Sequence, residues 1–417
     1  MNENAADVVV VGGGVVGLSC ALELLERGRE VVVLEAGRVG SGSSHGNCGT
    51  ITPSHAPPIA APGMVGQALR WMLRSDAPLY IRPRWDPELW RWLWRVAKRC
   101  NREDWLASAR ARAALLNASR ELLERWVKER GLDCEFRASG LVYVFRTLEM
   151  LERHAVECEQ LATLGIASEV WNAARLIREE PALRGGVAGG IFFPGDACLR
   201  PDRLVNALAR AVRERGGRIL ERCEVASIEA DPVRVRLVLA EQGTWVAARA
   251  VLATGAWSSR WSAALGVRIP VQPGKGYSIT YERPAQVPQR PLVLKERSVC
   301  VTAWEGGYRL GSTMEFSGMD ARLDPVRLRA LEDAARDYLR DPLGPMRLEE
   351  WYGWRPMSPD DLPLIGPVPG RSSVLLATGH GMLGVSMSAV TALLVASMVC
   401  GETPPIDPTP CRVDRFA

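Results

Sequence analysis

Residues 8–35 read VVVVGGGVVGLSCALELLERGREVVVLE. Four consecutive valines suit a short strand buried on both faces, the pattern of a parallel sheet. Gly12-x-Gly14-x-x-Gly17 follows, opening a segment with apolar residues at helical spacing: Val15, Leu18, Leu22 and Leu25. Gly28 suits the end of that helix and Val31–Leu34 the next strand. Each glycine has its own task. Gly12 permits the tight turn, Gly14 lets a pyrophosphate approach the backbone, and Gly17 lets helix and strand pack closely. The amides at the helix start, around Val15 and Val16, then face the phosphates. Glu35 ends the second strand 18 positions after Gly17, where a carboxylate accepts bonds from an adenosine ribose, and Ala36 and Gly37 continue along the same ligand. A lone glycine motif is weak evidence. Here strand, turn, helix, strand and acid stand in the order a dinucleotide site needs, whereas a ligand-free glycine turn leaves Glu35 unexplained.

The chain around this motif has 417 residues, more than one hydrophobic core usually supports, so two domains are expected. Its 52 basic and 48 acidic residues leave a net charge of +4 with no concentrated basic tract, so no nucleic-acid partner is expected. Almost all the bases are arginine, so a single arginine becomes a signal only through its position. The ten cysteines stand singly, without a C-x-x-C pair, which argues against metal and dithiol sites and against a secreted disulfide framework. The opening MNENAAD carries no leader pattern, and a cytoplasmic location is expected. Residues 383–401, LGVSMSAVTALLVASMVCG, are uncharged and about long enough to span a bilayer. Their small and hydroxylic residues favour a helix buried inside an α/β domain.

Two distant pieces resemble each other: AVLATGAWSS (250–259) and VLLATGHGMLG (374–384). Each reads as an apolar strand ending in Ala-Thr-Gly. Ligands sit at the carboxyl ends of such strands, so both turns are expected to face one crevice, with Ala253, Gly255 and Trp257 from the first and Gly381, Met382, Leu383 and Gly384 from the second. A helix over 201–216 and a strand over 222–228, carrying Val225, complete this core. The loop GSGSSHGNCGTITPSH (40–55) is too small and hydroxylic to build a core but suits wrapping a cofactor through Ser43, Ser44, Asn47, Cys48, Gly49 and Thr50; an ordinary loop is the plain alternative. No second motif recurs to hold a nicotinamide nucleotide. The GHGMLG turn starts a helix, and a helix N-terminus stabilises negative charge, which a reduced flavin carries at its N1–C2=O edge. FAD is therefore preferred over NAD.

These residues carry a family resemblance. The chain resembles the D-amino-acid oxidase (DAO) superfamily of FAD oxidoreductases, and within it is most similar to bacterial D-amino-acid and D-hydroxyproline dehydrogenases. Its marks are VVGGGVVG, the APPIAAPG and QALRWMLRSDAPLYIRP region (56–83), PGKGYSIT, GWRPMSPDDLPLIG (353–366) and ATGHGMLGVSM, spread over nearly the whole length. The expected fold is α/β: a Rossmann-like FAD-binding domain, discontinuous in sequence, from 1–55, 200–267 and 351–417. Residues 56–199 and 268–350 are expected to form an α+β substrate-binding domain with a mostly antiparallel sheet.

The resemblance implies that Arg355, in the G-x-R-P segment, binds a substrate carboxylate. The chemistry agrees, since a bidentate guanidinium–carboxylate pair fixes position and orientation together. The alternative is a loop clamp pairing Arg355 with Asp360 or Asp361. His380 and His45 are expected near the flavin or substrate, or else merely satisfying backbone groups. Tyr277 either offers its hydroxyl to the substrate or is a buried strand aromatic. Several relatives attach FAD through a cysteine where this chain has Gly353, so FAD is expected to be non-covalent. The expected reaction is oxidative deamination of D-amino acids, or oxidation of D-proline or hydroxyproline, by hydride transfer from the α carbon to flavin N5. No residue acts as acid or base, and the electrons pass to a quinone or other carrier. A glycine- or sarcosine-type oxidase using oxygen and a non-catalytic flavoprotein subunit or redox-responsive module are the rivals. Finally, WDPELWRWLWRVAKRCNREDW (85–105) sets five tryptophans among bases, with Trp90 and Trp94 at helical spacing. Such a stripe either packs on its own domain or makes peripheral contact with the inner face of a membrane or a quinone.

Overall fold

The structure is a computed structural model that describes residues 3–72, 79–241 and 243–417. Residues 73–78, inside the motif region 56–83, lie outside the described residues.

The valine run forms the strand Glu3–Val11, with Val8, Val9 and Val10 fully buried. It pairs in parallel with Val31–Leu34 on one side and with Thr244–Leu252 on the other. Thr244–Leu252 in turn pairs in parallel with Arg371–Thr378, through Ala250↔Val374 and Leu252↔Leu376. The two look-alike strands are thus neighbours, and both Ala-Thr-Gly turns leave the same end of one sheet, eight-stranded among the described residues. The helix Val15–Glu26 stops where expected, with Gly28 just beyond it at a φ of +74°. The helix Gly384–Cys400 is enclosed between Val15–Glu26 and the long helix Arg102–Glu129, which accounts for its lack of charge. No helix among the described residues is long and apolar enough to cross a membrane. The strand expected over 222–228 is two short ones, Arg218–Leu220 and Val225–Ala230, broken where Arg222 takes a positive φ of 56°.

A second sheet, nine-stranded among the described residues and mostly antiparallel, has Gln272–Tyr281 near one edge, between Gly307–Phe316 and Arg347–Met357. One face packs on the helix Pro325–Tyr338, and the other looks toward the first sheet's strand ends. Arg347–Met357 runs antiparallel to Gln272–Tyr281 from Gln272↔Met357 to Tyr281↔Arg347. The boundary expected at 351 therefore falls inside a strand of the second sheet. Pro356 is tolerated there because this is the sheet's edge, where a missing N–H breaks no ladder. The chain then crosses back, and Leu364–Val368 joins the first sheet beside Arg371–Thr378. The G-x-R-P segment is the link between the two layers.

Candidate active site

Between the sheets lies a cavity of about 1370 Å³, larger than the ~300–1000 Å³ of an ordinary small-molecule pocket and roomy enough for a dinucleotide with a substrate beside it. At one end stands the glycine turn. A Cβ on Gly12 would come within 2.5 Å of the Ala253 carbonyl, and one on Gly17 would overlap the Gly12 carbonyl. Gly17 thus serves packing and does not line the cavity, whereas Gly12, Gly14, Val15 and Val16 do. The helix Val15–Glu26 has no cap from its own N-cap residue, Gly14; its first amide, on Val15, donates to Ser44 Oγ at 3.0 Å, and the next amides are left without a side-chain cap. The Glu35 carboxylate is pinned by the Gly13 amide (2.6 Å) and the Gly37 amide (2.7 Å). Each oxygen keeps lone pairs for ribose hydroxyls. Ala36, Gly37 and Val225 line the same end. The cradle that only glycine fits, the uncapped amides and the fixed acid suit an adenine dinucleotide.

The loop expected to wrap the cofactor does line the cavity, at Ser43, Ser44, Asn47, Cys48, Gly49 and Thr50. Asn47 holds its shape, donating to the Ser43 and Ser44 carbonyls and accepting from the Gly49 amide at 2.8 Å. Ser43 donates to the Trp354 carbonyl, and Thr50 pairs with Cys198. Opposite are Ala253, Gly255 and Trp257, then Gly381, Met382, Leu383 and Gly384. The amide of Gly381 donates to the Pro356 carbonyl at 2.9 Å, so the second turn is tied to the arginine segment. Gly384–Cys400 also begins without a side-chain cap, so a second helix N-terminus adds positive potential.

Arg355 comes to the same cavity from the second sheet. Its guanidinium lies over Gly276, where any Cβ would overlap it. Nη1 donates to the Thr313 carbonyl at 2.6 Å and approaches Met314 Sδ at 3.8 Å; no carboxylate pairs with it among the described residues. Thr313, a β-branched residue, holds a φ of +63° at a bulge in its strand, a strained conformation that turns its carbonyl to this bond. Burial pushes the guanidinium down to about 10, opposed by neighbouring Cys48, so it remains cationic at neutral pH. The loop-clamp alternative fails because other arginines fill that role. Asp361 pairs with Arg112 (3.4 Å) and Asp360 with Arg415 (2.9 Å).

The other three expected residues differ. His380 lines the cavity but is buried, its Nε2 2.9 Å from Thr391 Oγ1, and burial pushes its pKa down to about 3, so it is neutral. Tyr277 lines the cavity with its ring, yet its hydroxyl donates to Glu315 at 2.8 Å, which corrects the expectation of a substrate contact through that group. His45 is corrected more fully. It does not line the cavity, and its Nε2 lies 2.7 Å from Glu349 Oε1, whose hydrogen bond raises the imidazole pKa. The cause is the loop's anchoring: Arg309 takes the His45 and Asn47 carbonyls, and Ser278 takes that of Gly46, so the His45 side chain turns outward. Arg309 and Gly276 escaped the sequence reading. A glycine inside the strand-like GKGYSIT was the available sign, since such a glycine often marks close approach by another group. Arg309 had no such sign.

At the outer end the cavity meets the helices Met64–Trp71 and Pro87–Arg99. The tryptophans divide: Trp92 is buried, donating to the Met357 carbonyl at 3.1 Å, while Trp90 and Trp94 are exposed. Val65, Leu69 and Met72 are exposed beside them, and Met64–Trp71 buries no residue at all.

A glycine cradle, a pinned ribose acid, two uncapped helix starts and a cation held over the junction of two sheets define a flavin-dinucleotide oxidoreductase. The chain belongs to the FAD dependent oxidoreductase (DAO) family, whose model matches residues 7–398, and its cofactor is FAD. It is 31% identical over 416 residues to the D-amino acid dehydrogenase of Bradyrhizobium diazoefficiens, covering 98% of this chain and 99% of that one. It is 34% identical over 417 residues to that of Paramagnetospirillum magneticum, covering 98% of each. In fold it is like the glycine oxidase of Geobacillus kaustophilus, with a TM-score of 0.80 at 24% identity over 99% of both chains. The L-proline dehydrogenase of P. horikoshii follows, with a TM-score of 0.73 at 20% identity over 100% of this chain and 98% of that one.

Proposed function

We propose that the chain oxidises D-amino acids, cyclic ones such as D-proline included, to 2-imino acids and passes the electrons to a membrane quinone. The observation that carries this reading is Arg355: a cation facing a cavity of flavin dimensions, bonded to one carbonyl and paired with no acid among the described residues. A substrate carboxylate supplies the missing partner, at about 1.5–3 kcal/mol per charge-assisted bond. Bound FAD supplies the acceptor for the α hydride and its electron pair. The protein's own part is placement. Arg355 orients the substrate, the start of Gly384–Cys400 favours negative charge on the ring, and neutral His380 adds none of its own. Open-chain products hydrolyse to a 2-oxo acid and ammonia; a cyclic substrate stops at the cyclic imine.

The D configuration draws its support from relatives named D-amino acid dehydrogenase that match nearly end to end. Non-covalent FAD is supported by Gly353, which has no thiol and whose side-chain space is filled by the Trp351 indole. Acid precipitation should therefore leave the flavin in the supernatant. For the acceptor, exposed Trp90 and Trp94 stand with Arg91, Arg95 and Lys98 on the helix Pro87–Arg99, with exposed Leu69 of Met64–Trp71 beside them at the cavity mouth, an aromatic and basic surface suited to the anionic inner face of a membrane. The protein is then cytoplasmic and peripheral. The test is anaerobic bleaching of the flavin across D- and L-amino acids, glycine and sarcosine. Bleaching by D-amino acids with low peroxide yield in air is the expected result. Bleaching by L-amino acids alone refutes the stereochemistry, and an oxidised spectrum with every compound refutes catalysis.

A further inference from the structure

Two cysteines in the cavity wall come together from distant parts of the chain. Cys48 belongs to the cofactor loop and Cys300 to the strand Val299–Trp304; both are partly exposed, and both line the cavity. Their meeting is built into the sheet. Cys300 stands opposite Gly311 in the antiparallel pairing of Val299–Trp304 with Gly307–Phe316. Gly311 has no side chain, and the Cys48 sulfur occupies the notch, 2.5 Å from where a Cβ of residue 311 would be. Side chains of directly opposed residues have Cβ atoms about 4.5–5.5 Å apart, so Cys48 takes the place of Cys300's cross-strand partner. The Cys48 sulfur therefore lies beside the Cys300 side chain, whose own sulfur is 3.8 Å from Thr302 Oγ1. Nothing in the proposed reaction uses either sulfur.

We propose that Cys48 and Cys300 are an oxidative modification site, closing to a disulfide in response to a peroxide. Cys48 is the attacking sulfur: its contact with Cys300, and then the positive charges of Arg309 and Arg355, lower its pKa, while that of Cys300 is raised. The Cys48 thiolate attacks one peroxide oxygen, the O–O bond breaks, and the departing hydroxide takes a proton to leave as water. Cys300 sulfur then attacks the resulting sulfenic sulfur and expels a second water. In sum, two thiols and one hydrogen peroxide give one disulfide and two waters, with two electrons passing from sulfur to oxygen. A disulfide requires an S–S distance of about 2.05 Å, and forming it draws the loop at 47–49 toward the second sheet. Displacement of about 1 Å in a reaction site can cost up to ~100-fold in rate, and Cys48 borders Arg355.

The site is tested on the FAD-loaded enzyme with hydrogen peroxide added stepwise. Expected are a linked peptide joining residues 48 and 300 by mass spectrometry, a fall in titratable thiols of the denatured protein from ten to eight, and at least a tenfold loss of activity. The flavin spectrum should remain, and dithiothreitol should restore activity. Cys300→Ser, compared with its own untreated activity because position 300 lines the cavity, should lose the dithiothreitol-reversible response and the linked peptide. The proposal is overturned if peroxide carries Cys48 to a sulfinic acid with no linked peptide, or if Cys300→Ser responds as the parent does. Thiol counts and peptide masses are read without a substrate, so failure here is distinguishable from failure of the D-amino-acid reading.

Discussion

Two arginines, Arg112 and Arg355, serve the same short segment in opposite ways. Arg112, buried on the helix Arg102–Glu129, donates to the His55 carbonyl at 2.8 Å and to the Asp361 carbonyl at 3.2 Å, with the Asp361 carboxylate at 3.4 Å. Six residues before Asp361, Arg355 has one carbonyl and a thioether. Burying a charge is tolerated when it is paired and hydrogen-bonded, as Arg112 is. A cation kept beside a cavity without an acid marks a place where the partner arrives from outside. The contrast separates a structural arginine from a working one where composition, rich in arginine throughout, does not.

The sharpest way to break that contrast is Arg355→Ala. Losing two charge-assisted bonds, about 3–6 kcal/mol together, should lower kcat/KM by roughly 10²–10⁴ while the flavin spectrum and thermal unfolding stay near those of the parent. Loss of flavin instead would make Arg355 structural. Arg112→Met should do the reverse. It leaves the Asp361 carboxylate buried with the Ile59 amide at 2.6 Å, and removal of one member of a buried pair costs about 3–5 kcal/mol. Denaturant unfolding should show that cost, with kcat/KM of the folded fraction changed far less. Gly276→Ala is a finer probe, since its methyl displaces the guanidinium without touching its charge. A rise in KM of about tenfold (~1.4 kcal/mol) with FAD retained is expected; an unchanged KM would mean the guanidinium's position does not matter.

The smallest effect belongs to His45→Gln, which removes a half-exposed pair with Glu349. Its cost should be about 0.2–1 kcal/mol with kcat/KM unchanged. The pH dependence carries the sign. The imidazole pKa is raised by Glu349, so the contribution is fully present below the ordinary histidine value of 6.5 and fades as pH rises through the elevated one. Parent and variant should therefore converge in stability at alkaline pH, as unfolding curves at several pH values would show.

What the sequence disclosed follows from how locally each feature is encoded. The valine run, the glycine turn, Glu35 and the Ala-Thr-Gly strands lie where local pattern and tertiary role coincide. Arg355 was reached through the family resemblance of its G-x-R-P segment, since composition alone does not single it out. Its place in the second sheet was not legible, because the strand Arg347–Met357 contains a proline that only an edge position excuses. The partners of Tyr277 and His45, Glu315 and Glu349, lie 38 and 304 residues away and leave no trace in spacing. The meeting of Cys48 with Cys300 depends on a missing side chain at Gly311, in a third segment again.

The strand order of the nucleotide sheet also bears on how the protein is made. Glu3–Val11 emerges from the ribosome well before its neighbour Thr244–Leu252, which comes more than 230 residues later, and that strand waits for Arg371–Thr378. At about 5–20 residues per second, synthesis as far as residue 378 takes roughly 20–75 s. For that time a nascent hydrophobic strand has one open side, the kind of edge that invites wrong pairing and chaperone capture. Ribosome-bound chains stopped before residue 371 should accordingly stay open to protease attack and unable to retain flavin.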